Sequence, residues 1–191
     1  EKTPLSTAAK VQLVDSLVDA GVTNIEVTSF VHPIRVPAMA DAEQVFGDVH
    51  KRAGVRYMAL VPNERGYDRA RAAGCDAIAV FTAASEHFAQ ANIQSTIEES
   101  LNRFRAVAVR SAADDVYVRG YVSTAFDCPY GGAVEPEAVL RVVESLLEVG
   151  CDEIALGDTT GSGTPTRLGR LLDVVLKAVP VEQLTLHFHD T

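Results

Sequence analysis

Two histidines near the C-terminal end of the chain have a spacing that suits a metal site. His187 and His189 stand two positions apart in the segment LTLHFHD, residues 184–190. On a β-strand, residues two apart point to the same face, whereas on a helix they would diverge. Two imidazoles at the end of a strand can supply half of the ligands of a divalent cation; the alternative is a pair of hydrogen-bonded core histidines. Asp190 is expected on the opposite face, where it would support the ligands or the fold.

Glu26 is the second candidate for chemistry. It follows Ile25 near the end of an apolar segment over residues 24–28. An unpaired carboxylate is costly to bury in such a place. The functional interpretation is an acid that faces the metal or holds a water or an arginine, and the structural one is a salt bridge at the rim. The position favours the functional interpretation.

Arg119 and Asp158 are the charged residues of two further apolar segments. Arg119 is the one cation within residues 116–122. Its guanidinium could clamp a carboxylate or a thioester oxygen, or form an internal ion pair with Glu26 or Asp158. Asp158 could support the metal ligands or cap the rim of the fold. The sequence leaves both pairs of alternatives open.

A recurring unit positions these residues: a helix, a glycine and then a short apolar strand. The glycines are Gly21, Gly74 and Gly150. Glycine in the left-handed conformation commonly ends a helix, and strands that are apolar on both faces are typical of parallel strands covered by helices. The pattern predicts six strands, over about 24–28, 56–61, 77–82, 116–122, 153–157 and 184–189.

The sequence also marks where several helices begin. Pro136 and Pro165 each stand at a first helical position, which favours proline. Ser95 and Glu98 have the spacing of a capping box. We therefore predict helix starts at these three places.

Strict alternation of strands and helices predicts a parallel sheet, either a closed barrel or an open doubly wound sheet. Two features favour the barrel. No Gly-x-Gly-x-x-Gly turn follows a strand, and polar residues occur at the C-terminal end of nearly every strand, where barrel enzymes build their sites. We predict one catalytic α/β domain over residues 1–191, a (β/α)₈ TIM barrel present in part. It contains about strands 2–7, and one strand is expected before Glu1 and another after Thr191.

Composition excludes some functions. The net charge of −9 argues against nucleic acid as a partner, because phosphate binding needs clustered cations. No apolar run approaches the roughly 18–20 residues that span a bilayer, and no signal peptide is recognisable. The three cysteines form no CxxC pair, which is typical of a reducing compartment. These features predict a cytoplasmic protein without a membrane partner.

Five motifs resemble those of the hydroxymethylglutaryl-CoA lyase family, in the family's order. They are IEVTSFVHP with VPAMAD (25–41), AASE with NI and IEES (83–100), RGYVS with CPYGG (119–132), LGDTTGSGTP (156–165) and HFHDT (187–191). The last motif alone would also fit related metal-dependent Claisen-type lyases and synthases, and the first two narrow the resemblance to the lyase. His32, Ala38 and Thr160 depart from the usual Ser, Gln and Ile, and none is an expected ligand.

The resemblance implies cleavage of 3-hydroxy-3-methylglutaryl-CoA to acetyl-CoA and acetoacetate, assisted by Mg²⁺ or Mn²⁺. It implies His187 and His189 as metal ligands, with His187 also active in proton removal and Glu26 orienting that proton network. The implied substrate contacts are Ser29, Arg119, Tyr121, Asp158 and Thr159. It further implies an acyl-CoA partner, a homo-oligomer (dimer or tetramer), a role in leucine degradation and ketone body metabolism, and the mitochondrial matrix in a eukaryote.

The family also has essential residues that these 191 positions do not match. Its RDGLQ strand, with a metal-binding Asp and a substrate-binding Arg, is expected before Glu1. Its glycine-rich loop with the catalytic Cys, and a metal-binding Asn, are expected after Thr191. Cys128 matches the CPY motif and not the catalytic Cys. The resemblance therefore implies that a piece limited to these residues is inactive.

Other functions remain open on the sequence. One is a related acyl-CoA lyase or a Claisen-condensing enzyme, such as an isopropylmalate or homocitrate synthase. Another is an inactive fragment that serves as a scaffold. An open nucleotide-binding module is disfavoured by the lack of a glycine-rich phosphate loop.

Overall fold

The computed structural model of the chain describes residues 5–189, in which strands and helices alternate. The strands are β1 (Asn24–Ser29), β2 (Arg56–Leu60), β3 (Ala77–Ala83), β4 (Tyr117–Ser123), β5 (Asp127–Cys128), β6 (Gly132–Ala133), β7 (Glu153–Gly157) and β8 (Leu184–His187). The α-helices are α1 (Thr7–Asp19), α2 (Ala42–Asp48), α3 (Glu64–Ala72), α4 (Glu86–Ile93), α5 (Ile97–Ala113), α6 (Pro136–Val149) and α7 (Pro165–Val175). Two 3₁₀ turns lie at Pro37–Met39 and Val181–Gln183.

The six predicted strands are all present, close to their expected bounds. The last strand was predicted to reach residue 189, but β8 ends at His187, so His189 follows the strand. The two-residue strands β5 and β6 were not predicted, and they pair antiparallel with each other. The predictions for Asp190 and Thr191 lie outside the described residues.

The chain divides into two compact units. The first contains residues 1–79 and 114–117, and its strands lie in the order β1-β2-β3. Its strand pairs are parallel, and the ladder between β1 and β2 is irregular between Glu26 and Thr28. This irregularity shifts the register at the end of β1, so that Ser29 stands opposite Leu60.

The second unit contains residues 80–113 and 118–191, and the second half of β3 continues into it. Its strands lie in the order β3-β4-β7-β8. Arg119 stands opposite Glu153 in the parallel pair of β4 and β7. Gly157 stands opposite His187 in the parallel pair of β7 and β8. These registers decide which polar residues share one level of the sheet.

Helix α6 shows how the helices cover this sheet. It begins at Pro136, as predicted, and ends at Val149, followed by Gly150, whose φ of 107° is the left-handed conformation expected of a glycine cap. Leu146 is fully buried. A Cβ on Gly120 would lie 3.1 Å from the Leu146 side chain and 3.0 Å from the Cys151 sulfur, so glycine in β4 lets the helix approach closely.

The capping box of α5 was predicted one residue too early. Glu99 accepts a hydrogen bond from the Thr96 backbone N–H (2.8 Å), and its own backbone N–H donates to the Thr96 hydroxyl (3.0 Å). The prediction of Ser95 with Glu98 was therefore wrong. Residues 95–99 contain two overlapping boxes, Ser95 with Glu98 and Thr96 with Glu99. Because α5 begins at Ile97, Thr96 is the capping residue.

Within the part of the chain that the structure describes, no helix has the length and apolar character of a membrane span.

Candidate metal and substrate site

His187 and His189 lie side by side at the end of β8. Their ring centroids are 4.8 Å apart and the ring planes are inclined by 56°. Both residues are exposed. The two rings therefore share one face, as their spacing predicted, and neither is packed in the core of the described residues.

The ring of His189 is oriented by the backbone of Asp158. Its Nδ1 lies 2.7 Å from the carbonyl oxygen of Asp158. Because a carbonyl can only accept a hydrogen bond, Nδ1 must carry the proton, and the lone pair of the neutral ring then lies on Nε2. Histidines that bind metals commonly donate their other ring N–H in this way.

Asp158 makes further hydrogen bonds near the histidine pair, through its backbone N–H and its carboxylate. Its backbone N–H donates to the carbonyl of His187 (2.8 Å). Its carboxylate is buried and accepts hydrogen bonds from the backbone N–H groups of Ser162 (3.0 Å) and Gly163 (2.9 Å). The carboxylate thus caps the loop after β7, which is one of the two interpretations offered by the sequence, while its predicted substrate contact remains a prediction.

Position 163 has no room for a side chain, and this gives a first prediction. A Cβ there would lie 2.7 Å from the Phe188 ring, 2.8 Å from the Asp158 carboxylate and 3.1 Å from the Phe126 ring. We expect Gly163→Ala to destabilise the full-length protein by about 1–3 kcal/mol, the usual cost of forcing atoms into a packed site. Chemical denaturation measures this change.

Gly169 provides the matched control for that prediction. It lies in α7 and a Cβ there would meet nothing within 4 Å. Gly169→Ala should leave stability unchanged or raise it by up to about 1 kcal/mol, since alanine favours helix. Equal stability of the two variants would contradict the packing argument at Gly163.

Arg119 forms an ion pair with a residue that the sequence did not indicate. Its Nε donates to a carboxylate oxygen of Glu153 at 2.9 Å, and its Nη1 lies 3.5 Å from the Tyr121 hydroxyl. The internal ion pair that the sequence left open as one alternative is therefore present, with Glu153 as a partner. Burial lowers the pKa of Arg119, but the hydrogen bonds to Tyr121 and Glu153 outweigh burial and leave that pKa raised. The guanidinium therefore stays charged.

The sheet register places this ion pair away from the histidines. Arg119 stands opposite the first residue of β7, whereas His187 stands opposite Gly157, the last. Four residues along a strand correspond to about 13 Å. The structure therefore does not bring Arg119 to the level of the histidine pair.

The Arg119–Glu153 pair gives a second prediction, on stability. The side chains are only 13% and 9% exposed, so Arg119→Met leaves a buried carboxylate without its guanidinium. We expect the free energy of unfolding to fall by about 3–5 kcal/mol, measured by denaturant unfolding. The double variant with Glu153→Leu should recover most of the loss.

The exposed pair of Arg52 and Asp19 is the control for this prediction. Its side chains are 49% and 61% exposed. Arg52→Met should cost less than about 1 kcal/mol, as is usual for surface pairs. A similar cost for Arg52→Met and Arg119→Met would contradict the importance of burial.

Two other predicted substrate contacts lie in the second unit. The Thr159 hydroxyl accepts a hydrogen bond from the backbone N–H of Thr124 at 2.7 Å. Tyr121 alternates with Arg119 on the half-buried face of β4 and stands opposite Ala155. The roles of Thr159 and Tyr121 in substrate binding remain predictions.

Glu26 and Ser29 lie on β1 in the first unit. Glu26 is exposed, as a group that meets solvent or substrate must be. The Ser29 hydroxyl is the only buried side-chain oxygen or nitrogen in residues 5–189 that finds no hydrogen-bond partner. A buried hydroxyl without a partner costs free energy, so this oxygen is a candidate for a contact with a ligand.

The histidine pair does not form a complete metal site by itself. Among the described residues, no group of three or more His, Cys, Asp or Glu is placed to hold a metal ion. The pair nevertheless suits part of a divalent site, because one ring nitrogen of His189 is already committed to a carbonyl. Additional oxygen ligands would be needed to complete the coordination.

Comparison with known proteins places the chain in a family. The family model described as HMGL-like matches residues 1–191. The hydroxymethylglutaryl-CoA lyase of Pseudomonas mevalonii is 46% identical over 191 residues, which are 100% of this chain and 64% of that protein. The 3-hydroxy-3-isohexenylglutaryl-CoA/hydroxymethylglutaryl-CoA lyase of Pseudomonas aeruginosa is 47% identical, with the same coverage. The chain thus spans just under two thirds of these relatives.

Structural comparison agrees. The crystal structure of a hydroxymethylglutaryl-CoA lyase from Pseudomonas aeruginosa matches with a TM-score of 0.96 and 46% identity, over 100% of this chain and 64% of the other. The predicted fold class, a (β/α)₈ TIM barrel present in part, is confirmed by this match. Since both the sequence and the structure match over the whole chain, residues 1–191, the chain belongs to the HMGL-like family.

Proposed function

We propose that the protein containing this chain is a carbon–carbon lyase that cleaves 3-hydroxy-3-methylglutaryl-CoA to acetyl-CoA and acetoacetate. The lyases of two Pseudomonas species, at 46% and 47% identity, support this activity. The observation that carries the proposal is the histidine pair, with rings 4.8 Å apart and Nδ1 of His189 bound to a backbone carbonyl. That arrangement is suited to holding a cation beside a substrate oxygen.

The cofactor is proposed to be Mg²⁺ or Mn²⁺, held in part by ring nitrogens of His187 and His189. When bound, a divalent cation stabilises negative charge on a substrate oxygen and eases its deprotonation. The residues present fit such an ion, since they offer two imidazoles on one face. Imidazole together with oxygen ligands suits ions of this type.

The side chains of this chain have separate proposed roles in the reaction. The proton leaves the C3 hydroxyl, the C2–C3 bond breaks, and the departing fragment becomes a thioester enolate that takes up a proton as acetyl-CoA. His187 takes part in removing the hydroxyl proton, and Glu26 orients the group that carries it. Proton transfer of this kind needs the donor and acceptor within hydrogen-bond reach.

Substrate binding is assigned to polar groups near the strand ends. Ser29 is proposed to donate its otherwise unpartnered hydroxyl to the substrate. Tyr121, Asp158 and Thr159 are the other proposed contacts. Arg119 is kept as a weaker candidate, because its guanidinium is already paired with Glu153.

The remaining biological setting is also proposed from the family. The substrate is an acyl-CoA, the protein is a homo-oligomer (dimer or tetramer), and it acts in leucine degradation and ketone body metabolism. It acts in the cytoplasm, or in the mitochondrial matrix of a eukaryote. Of two relatives from Rattus norvegicus, one is named as a cytoplasmic lyase and the other as a mitochondrial lyase. A piece limited to residues 1–191 is expected to be inactive.

A related acyl-CoA lyase is the second candidate function. The name of the Pseudomonas aeruginosa relative includes an isohexenylglutaryl-CoA substrate. Incubating the full-length protein with Mg²⁺ and hydroxymethylglutaryl-CoA should release acetoacetate, which is measured by its reduction in a coupled enzyme assay. Cleavage of only the longer acyl-CoA would favour the second candidate, and condensation of acetyl-CoA with a keto acid without any cleavage would refute both.

A further inference from the structure

Thr124, directly after β4, adopts an unusual backbone conformation. Its φ is 57°, in the left-handed region, and the residue is fully buried. Branched side chains are rarely found there, and such conformations persist only where the surrounding structure enforces them. The contacts around Thr124 therefore show what holds the turn.

Two successive backbone N–H groups tie this turn to the end of β7. The N–H of Thr124 donates to the Thr159 hydroxyl at 2.7 Å. The N–H of Ala125 donates to the carbonyl of Gly157 at 3.0 Å. The Thr124 hydroxyl donates to the carbonyl of Ser123 at 2.6 Å, which holds the turn from within.

The residue between these two attachment points contacts both histidines through its backbone. Asp158 lies between Gly157 and Thr159, and its backbone N–H donates to the carbonyl of His187 at 2.8 Å. Its carbonyl lies 2.7 Å from Nδ1 of His189. The backbone of Asp158 is thus fixed on both sides by the turn after β4, and it contacts both histidines.

We propose that Thr159 is a positioning residue, which acts through the left-handed turn at Thr124 to hold the backbone of Asp158 and thereby the two histidines. This inference rests on the proposed role of the histidines in metal binding. It differs from the substrate contact proposed for Thr159, because it requires an effect on metal binding when no substrate is present. The hydroxyl hydrogen of Thr159 is not used by its bond with Thr124, so the two roles are compatible.

The test is Thr159→Val in the full-length protein, which removes the acceptor and keeps the shape. Affinity for Mn²⁺ without substrate, measured by electron paramagnetic resonance, should fall about 10–100-fold, as for other groups that orient metal ligands. Thr159→Ser should restore it. Thr160→Val is the matched control and should keep the affinity, since the Thr160 hydroxyl bonds to the hydroxyl of Ser162. Unchanged affinity in Thr159→Val would overturn the inference.

Hydrogen exchange separates this inference from the proposed function. The backbone amides of Thr124 and Asp158 should exchange faster in Thr159→Val than in the wild type or Thr160→Val. If the wild type does not bind Mn²⁺, the metal role of the histidines fails, and exchange alone then decides the positioning role. Exchange at wild-type rates in Thr159→Val would overturn it whatever the metal does.

Discussion

His189→Ala in the full-length protein should lose nearly all turnover and weaken Mn²⁺ binding by more than about 100-fold. Replacing even the groups that only orient a metal ligand costs about 10–100-fold in affinity, and a ligand itself should cost more. The structure supports a direct role, because Nδ1 of His189 is committed to the Asp158 carbonyl and Nε2 is left to accept a cation. Metal titration and a steady-state assay at saturating substrate measure the two effects.

His32→Ala is the control for this experiment. His32 lies on the loop after β1, and its Nδ1 accepts a hydrogen bond from the backbone N–H of Ile34. Removing it takes away an imidazole without touching the pair at His187 and His189, so metal affinity should stay near that of the wild type. If His189→Ala remains active at low metal concentration, His189 is not a ligand.

The features that the sequence predicted well depend on short-range rules. The six strands and the proline helix starts follow from apolar runs, glycines and prolines within a few residues of each other. The side-by-side histidines follow from the two-residue period of extended backbone. That period holds beyond the end of β8, so His189 shares the face although the strand ends at His187.

The features that the sequence missed depend on how distant segments pair. Arg119 and Glu153 are 34 positions apart, and only the register of β4 against β7 brings them together. Glu153 left one signal, a charged residue at the start of an apolar strand, but that signal does not identify a partner. A one-residue change of register would have presented another residue to Arg119.

The turn at Thr124 shows the same limit. In its left-handed conformation, the backbone N–H of Thr124 donates a hydrogen bond to the Thr159 hydroxyl, 35 positions away. A branched residue carries no local preference for that conformation, so nothing in the neighbouring sequence indicated it. The sequence offered support of the metal ligands as one interpretation of Asp158, but it did not indicate that the backbone of Asp158 contacts the histidines.

Glu26→Ala in the full-length protein should lower kcat by about 100-fold or more, the scale of one group in acid–base catalysis. Glu26 lies on β1 and is exposed, so its replacement should change the free energy of unfolding by no more than about 1 kcal/mol, the usual range for exposed charged groups and their partners. Glu26→Gln keeps the shape and removes the charge, and it should lose activity to a similar extent if the charge orients a proton network. Steady-state kinetics and denaturant unfolding measure the two quantities on the same samples.

The comparison with Glu144→Ala then decides the role of Glu26. Glu144 is exposed on α6, and its replacement should leave both kcat and stability near those of the wild type. A loss of thermal stability in Glu26→Ala with kcat unchanged would return Glu26 to the structural interpretation, a salt bridge at the rim. A loss of kcat with stability unchanged requires a role in the reaction, since an exposed carboxylate that only supported the fold would leave turnover as it was.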